Sequence, residues 1–324
     1  MDYLLLIAGL ALLLVAANYL VDSSVAIAQR AHVSNFIIGL TIVGMGTSAP
    51  ELFVSVSSAL SGSGDIAVGN VVGSNICNIL LIAGVAAVIA PFAIERLQKR
   101  RDIPILIAMS LLLMALANDS CLPGISENTL SRFDGIFMLI IFVGYMCWVI
   151  LQKGKDPQAA MQEADEQAQS SLAGKNVWLL CAIAVASLVL LITGGNMFLN
   201  SAKSLARAWG MSEAVIAITI VAVGTSLPEL VTSVIAACKH NPQLALGNVI
   251  GSNLFNILFI LGLSATVKPL HIIDINLMDY VVMIVAAIML YVVVYTFKRN
   301  RFDRIEGIIF LIAYVAYTVW LLMR

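Results

Sequence analysis

The sequence predicts an all-α integral membrane protein: ten transmembrane helices in two inverted five-helix repeats, with helices 2 and 7 broken near their middles. Three observations carry this expectation. The first is composition. Of 324 residues, 60% are hydrophobic and only 11% are charged, with a mean hydropathy of +0.98, against roughly 25% charged in an average soluble protein. A water-soluble fold of this length has no interior large enough to hide that much apolar surface. The second is an internal repeat. GLTIVGMGTSAPELFVSV at 39–56 returns as AITIVAVGTSLPELVTSV at 217–234, and GNVVGSNICNILLIAG at 69–84 returns as GNVIGSNLFNILFILG at 247–262. The register is gapless, and between Thr41 and Pro91 roughly half the positions match their partners. The third is the placement of basic residues along the chain.

Ten apolar stretches follow in order, near 2–21, 35–61, 66–90, 103–118, 132–151, 176–200, 212–238, 244–267, 277–297 and 304–323. Most approach the ~20 residues that a bilayer requires; the fourth is short. The first lacks a basic leader and a small-residue cleavage pattern, so it is expected to be retained as a helix. The second and seventh are long and are interrupted by Pro50 and Pro228. Proline has no N–H, so the carbonyls of Gly46 and Gly224 lose their helical partners. At membrane depth such carbonyls persist only where protein or a bound ion satisfies them.

Loops after the odd-numbered stretches hold 13 of the Lys and Arg residues, and the other side holds 5. The positive-inside rule then places the odd loops in the cytoplasm and both termini outside. Residues 1–151 and 176–324 each contain five stretches, and an odd number inverts the second repeat relative to the first. The segment 152–175, QKGKDPQAAMQEADEQAQSSLAGK, reads as a solvated cytoplasmic tether. It is too short for a regulatory calcium-binding domain and lacks an EF-hand pattern. Cysteines 77, 121, 147, 181 and 238 show no CxxC spacing and read as small apolar residues.

Each copy of the motif carries a glutamate, Glu51 and Glu229, inside an apolar stretch. A charged residue at that depth costs at least ~2.5–3.5 kcal/mol, so it marks a functional site by default. Two at equivalent repeat positions imply one shared ion site between two halves of a transporter. No P-loop, HExxH or nucleophile–base pair is present, so the chain is not expected to be an enzyme.

GMGTSAPE and AVGTSLPE, each followed by GNV(V/I)GSN and then Asn78 or Asn256, resemble the repeats of the calcium/cation antiporter superfamily, and most of all its prokaryotic sodium/calcium exchanger branch. The resemblance implies calcium–sodium antiport across a cell (inner) membrane, with no cofactor and no nucleic-acid partner. It places ion-coordinating carboxylates at Glu51 and Glu229 and flanking hydroxyl residues at Thr47, Ser48, Thr225 and Ser226. It adds ligands at Ser74, Asn78, Ser252 and Asn256, and backbone carbonyls at Gly44 and Ala222. Many relatives carry aspartate where this chain has Asn256. The departure argues against potassium co-transport and leaves two formal charges in the site.

The chemistry of the residues agrees. Calcium takes six to eight oxygens. Two bidentate carboxylates supply four, the carbonyls of Thr47 and Thr225 supply two more, and Ser and Asn side chains can complete shells for sodium. Protons are the alternative driving ion, since a buried glutamate can trade a proton for a cation. A cation channel or a non-transporting membrane scaffold is the alternative of a different class. Bland roles are expected elsewhere. Ser55, Ser57, Ser58, Ser233, Gly39 and Gly262 read as packing positions, and Asn70 and Asn248 as helix caps. Asn75 and Asn253 read as caps or bridges, and Asp134 with Arg132 as an interface mark. His32, His240 and His271 read as loop or interface residues.

Overall fold

The computed structural model describes residues 2–118, 128–151, 171–172, 174–210, 224–296 and 300–323. Ala222, Cys121, most of the tether at 152–175 and the first half of the seventh stretch lie outside them. Among the described residues the chain is helical apart from four short strands. Six helices are long and apolar enough to cross a membrane, or up to seven with one bent pair taken as a single span.

Helix α1 (Asp2–Ala31) and helix α7 (Val177–Ala208) are 30 and 32 residues long. At 1.5 Å per residue that is about 45–48 Å, well beyond the ~30 Å hydrocarbon core. Both outrun the stretches at 2–21 and 176–200 expected from hydropathy. The helix continues through Asp22 and Ser23 because each is satisfied locally. Asp22 takes the ammonium of Lys239 at 2.5 Å and the hydroxyl of Ser171 at 2.7 Å, and the Ser23 hydroxyl donates to the carbonyl of Tyr19 at 2.8 Å. The two helices lie against each other at Gly9, where a Cβ would stand 2.7 Å from the backbone nitrogen of Phe198. In lipid such close backbone approach supplies the packing attraction that association needs. His32 ends α1 in the left-handed region with φ +51, and His240 does the same after α8 with φ +59, in keeping with a loop role.

The second stretch is two helices, α2 (Asn35–Thr47) and α3 (Ala49–Ser61), bent by 46°. The break falls at Ser48, whose ψ of 11° leaves the helical path. Pro50 then sits in the first turn of α3, where its missing N–H costs nothing. Helix α4 (Gly64–Ile89) follows, then α5 (Ile103–Leu116) and α6 (Arg132–Leu151). The short fourth stretch is explained by a π-helical turn at Gln98–Asp102 ahead of α5, which carries a buried ion pair between Arg101 and Asp102 at 2.7 Å. Asp134 does not pair with Arg132. It accepts from the backbone N–H and hydroxyl of Ser131 at 2.8 and 2.6 Å and so caps α6. In the second half come α8 (Leu227–Cys238), α9 (Pro242–Val267), α10 (Leu277–Val292) and α11 (Arg304–Met323).

Helices α4 and α9 form the centre: 72% and 94% of their apolar windows are buried, against 17% for α11 and 28% for α6 and α7. The outer helices turn residues such as Ile140, Val143, Val185 and Ile312 outward, the surface that lipid must cover. The halves interlock. Gly84 of α4 meets Gly307 of α11, and Gly262 of α9 meets Gly135 of α6; a Cβ at Gly307 would stand 2.8 Å from the Gly84 carbonyl, and one at Gly135 2.6 Å from the Gly262 carbonyl. Strand β1 (Phe92–Ala93) pairs antiparallel with β4 (Arg301–Phe302), and β2 (Asn128–Leu130) with β3 (Leu270–Ile272), so the same helix partners are also tied at their ends. His271 lies in β3 beside the Thr129 hydroxyl at 3.3 Å.

Candidate functional site

Glu51 and Glu229 occupy the first turns of α3 and α8, where the exposed N–H groups of a helix start favour negative charge. The residues at the two breaks, Ser48 and Ser226, have nearly the same backbone (ψ 11° and 10°), and neither side chain caps its own helix. Each instead crosses to the other copy. The Ser48 hydroxyl donates to Glu229 Oε1 at 2.8 Å, and the Ser226 hydroxyl donates to Glu51 Oε1 at 3.1 Å. This reciprocal exchange brings residues 181 and 175 positions apart into one cluster. Ser74 of α4 adds a longer bond to Glu51 Oε1 at 3.4 Å.

Both glutamates are 1% exposed, and among the described residues no Lys, Arg or His pairs with either. Among the described residues Glu51 Oε2 and Glu229 Oε2 have no hydrogen-bond partner, nor do either amide atom of Asn78 and the Oδ1 of Asn256. Buried oxygens without partners are costly, and uncompensated carboxylates more so. The oxygens among them are hard donors of the kind calcium and sodium take. The side chains around the two carboxylates are the hydroxyls of Ser48, Ser226 and Ser74.

Asn78 and Asn256 stand at the second position of π-helical segments, Cys77–Ala83 and Phe255–Leu261. An extra residue per turn shifts the faces that follow it, and π-bulges recur at functional sites. Thr225 is buried at the second break. The Thr47 hydroxyl turns to Asn248 Oδ1 at 3.3 Å. Three of the expected ligand residues, Gly44, Thr47 and Ser252, bond to one another. The Gly44 carbonyl accepts from the backbone N–H of Ser48 and from the hydroxyls of Thr47 and Ser252 at 3.3, 3.4 and 3.1 Å. Ser252 thus faces Gly44 where Ser74 faces Glu51.

The reading of Asn70 and Asn248 as caps is corrected. Both lie inside helices, not at their starts. The Asn70 amide donates to the Glu51 carbonyl at 3.3 Å and the Ser55 hydroxyl at 3.0 Å. The Asn248 amide donates to the Glu229 carbonyl at 3.3 Å and the Ser233 hydroxyl at 2.9 Å. In both copies an asparagine from the next helix thus holds the backbone carbonyl of the glutamate. Ser55 and Ser233, read as packing residues, belong to the same support. The available signal was the equal spacing of 19 residues between each glutamate and its asparagine in both copies.

A bent helix pair, two crossed Ser–Glu bonds and a set of unpartnered buried oxygens define a membrane protein with a buried, oxygen-lined centre. The family model described as "Sodium/calcium exchanger protein" matches residues 1–151 and 179–323, and the chain belongs to that family: it is a sodium/calcium exchange transporter, not an enzyme, and works without a cofactor. The sodium/calcium exchanger MaX1 of Methanosarcina acetivorans is 32% identical over 98% of this chain and 97% of its own. The inner membrane protein YrbG of Escherichia coli is 35% identical over 82% of this chain and 79% of its own. Among solved structures, the sodium-calcium exchanger NCX_Mj, soaked with sodium and calcium, superposes with a TM-score of 0.82 at 29% identity over 98% of this chain and 97% of that one.

Proposed function

We propose that the chain exchanges calcium for sodium by alternating access through one central site, in which Glu51 and Glu229 act together. The crossed bonds from Ser48 to Glu229 and from Ser226 to Glu51 carry the reading, because they bring both carboxylates to one place with an oxygen of each free. Two carboxylates neutralise one calcium ion. Sodium requires more than one ion for the same neutralisation, and the oxygens of Ser74, Ser252, Asn78, Asn256, Thr47 and Thr225 serve those extra shells, joined by the carbonyls of Gly44 and Ala222 when the site rearranges. Competition for shared ligands couples the two ions. A filled site is nearly neutral and moves; an empty one holds two buried charges and resists moving.

The architecture that goes with this mechanism is ten transmembrane helices in two inverted repeats, 1–151 and 176–324, joined by a cytoplasmic tether at 152–175. The short helices α5, α8 and α10, added to the long spans, support that number. The two segments matched by the family model support the division, and the 13-to-5 distribution of basic residues supports outside termini. The prokaryotic relatives support a place in the inner membrane. Calcium-45 uptake into proteoliposomes tests the function. An outward sodium gradient should drive uptake and a pH gradient alone should not; uptake driven by the pH gradient and indifferent to sodium would assign the proton as the exchanged ion.

A further inference from the structure

We infer that Asn75 and Asn253 are positioning residues for exchange, each orienting the last asparagine of the other copy's GSNxxN segment in one facing of the site only. The inference rests on the inverted-repeat reading above. An amide presents either an oxygen or an NH2 group, and only the oxygen can face a cation. The structure holds Asn256 in one of these orientations. Its Nδ2 donates to Asn75 Oδ1 at 3.1 Å, and its own Oδ1 is left buried without a partner. Asn75 is fixed in turn, because its Nδ2 donates to the Asn253 carbonyl at 3.4 Å and approaches Met283 Sδ at 3.8 Å.

The other copy has the same residues and none of these bonds. Both amide atoms of Asn253 and both of Asn78 are buried without partners among the described residues, at 0% and 1% exposure. Composition does not explain this, since GSNICN and GSNLFN match at every polar position. Two inverted copies exchange surroundings when the site turns to face the opposite side. The bond from Asn256 to Asn75 then opens, and Asn78 donates to Asn253 Oδ1. Each facing therefore has one asparagine oriented for the ion and one free, and the pair of clamps biases which facing is held.

The test is the half-saturating calcium concentration at each membrane face, measured in oriented proteoliposomes for wild type, Asn75→Ala, Asn253→Ala and the double variant. Loss of one net hydrogen bond corresponds to about fivefold. The ratio of the two half-saturation values should move about fivefold one way in Asn75→Ala, the opposite way in Asn253→Ala, and return near the wild-type ratio in the double variant. A role in packing that is the same in both facings would leave the ratio unchanged. If an alanine variant fails to reconstitute, Asn75→Ser and Asn253→Ser are read in the same way. Shifts in the same direction, or no shift in either, overturn the inference while leaving the exchange reading intact. A wild type without sodium-driven calcium flux overturns both.

Discussion

The two copies of the motif share nearly all their polar residues and differ in what surrounds them. Helix α9 is the more deeply buried, and Asn248 is fully enclosed where its counterpart Asn70 is half-buried. The backbone at Phe36 to Leu40 of α2 lies directly on Gly247 and Gly251. Asn248 accepts from Thr47, and Ser252 donates to Gly44, so α9 is stitched to α2. In α4 the equivalent serine, Ser74, reaches Glu51. Where α9 places Phe255 in contact with Phe259 and Phe142, with ring centroids 4.7 and 5.8 Å away, α4 has Cys77. The chemistry is duplicated and the environment is not. On the alternating-access reading that difference is conformational: one copy is closed around the site, and the other is the looser one.

The comparison can be broken most severely at the carboxylates. Glu51→Gln and Glu229→Gln should each reduce sodium-driven calcium flux by at least about 100-fold, in line with removing a group of the reacting centre, while elution in detergent stays that of the folded chain. Near-normal flux in either variant would show that the copies work separately. Next in size is the backbone contact on α9. A Cβ at Gly251 would land on the backbone of Leu40, so Gly251→Ala should destabilise by about 1–3 kcal/mol or more, as overpacking does, and lower thermal stability in detergent. At Gly195 the nearest added contact is an ordinary 3.6 Å to Pro228, and Gly195→Ala should leave the melting temperature close to wild type.

Smaller and more informative is the asparagine pair. Asn248 makes two donor bonds and accepts a third, whereas Asn70 makes two. At about 1 kcal/mol per net bond, Asn248→Ala should lose more stability and more flux than Asn70→Ala. The reverse order would mean that α4, not α9, is the tight side. The smallest expected change is in Asn256→Asp, which adds a third carboxylate near two others. Like charges disfavour joint ionisation, so exchange should become more sensitive to pH while folding is kept. Wild-type flux should be indifferent to potassium. Flux that depends on potassium would undo the two-charge count, and a variant with an unchanged pH profile and ion dependence would remove Asn256 from the site.

The parts legible in the sequence are those where chemistry is written in residue identity. A glutamate inside an apolar stretch, repeated after a serine and a proline, points to a shared cation site whatever the helix geometry. The crossing of Ser48 and Ser226 to the opposite glutamates was not legible, since the motif places both hydroxyls beside the ion without fixing which carboxylate each reaches. Asn70 and Asn248 were misread because asparagine after glycine suits a helix start, and only the packed neighbour shows that the amide serves a carbonyl one helix away. Hydropathy stopped α1 at residue 21 because it scores Asp22 as solvent-seeking, whereas Lys239 and Ser171 satisfy it. The π-helical segments have no sequence period of their own. They arise from packing and could not be anticipated.

The central claim is that Glu51 and Glu229 form one site and not two. Calorimetric calcium titration of the purified protein in sodium-free detergent tests it directly. One calcium ion should bind per wild-type chain, with no measurable binding in either Glu51→Gln or Glu229→Gln. Two ions bound by the wild type, with one retained in each single variant, would contradict it.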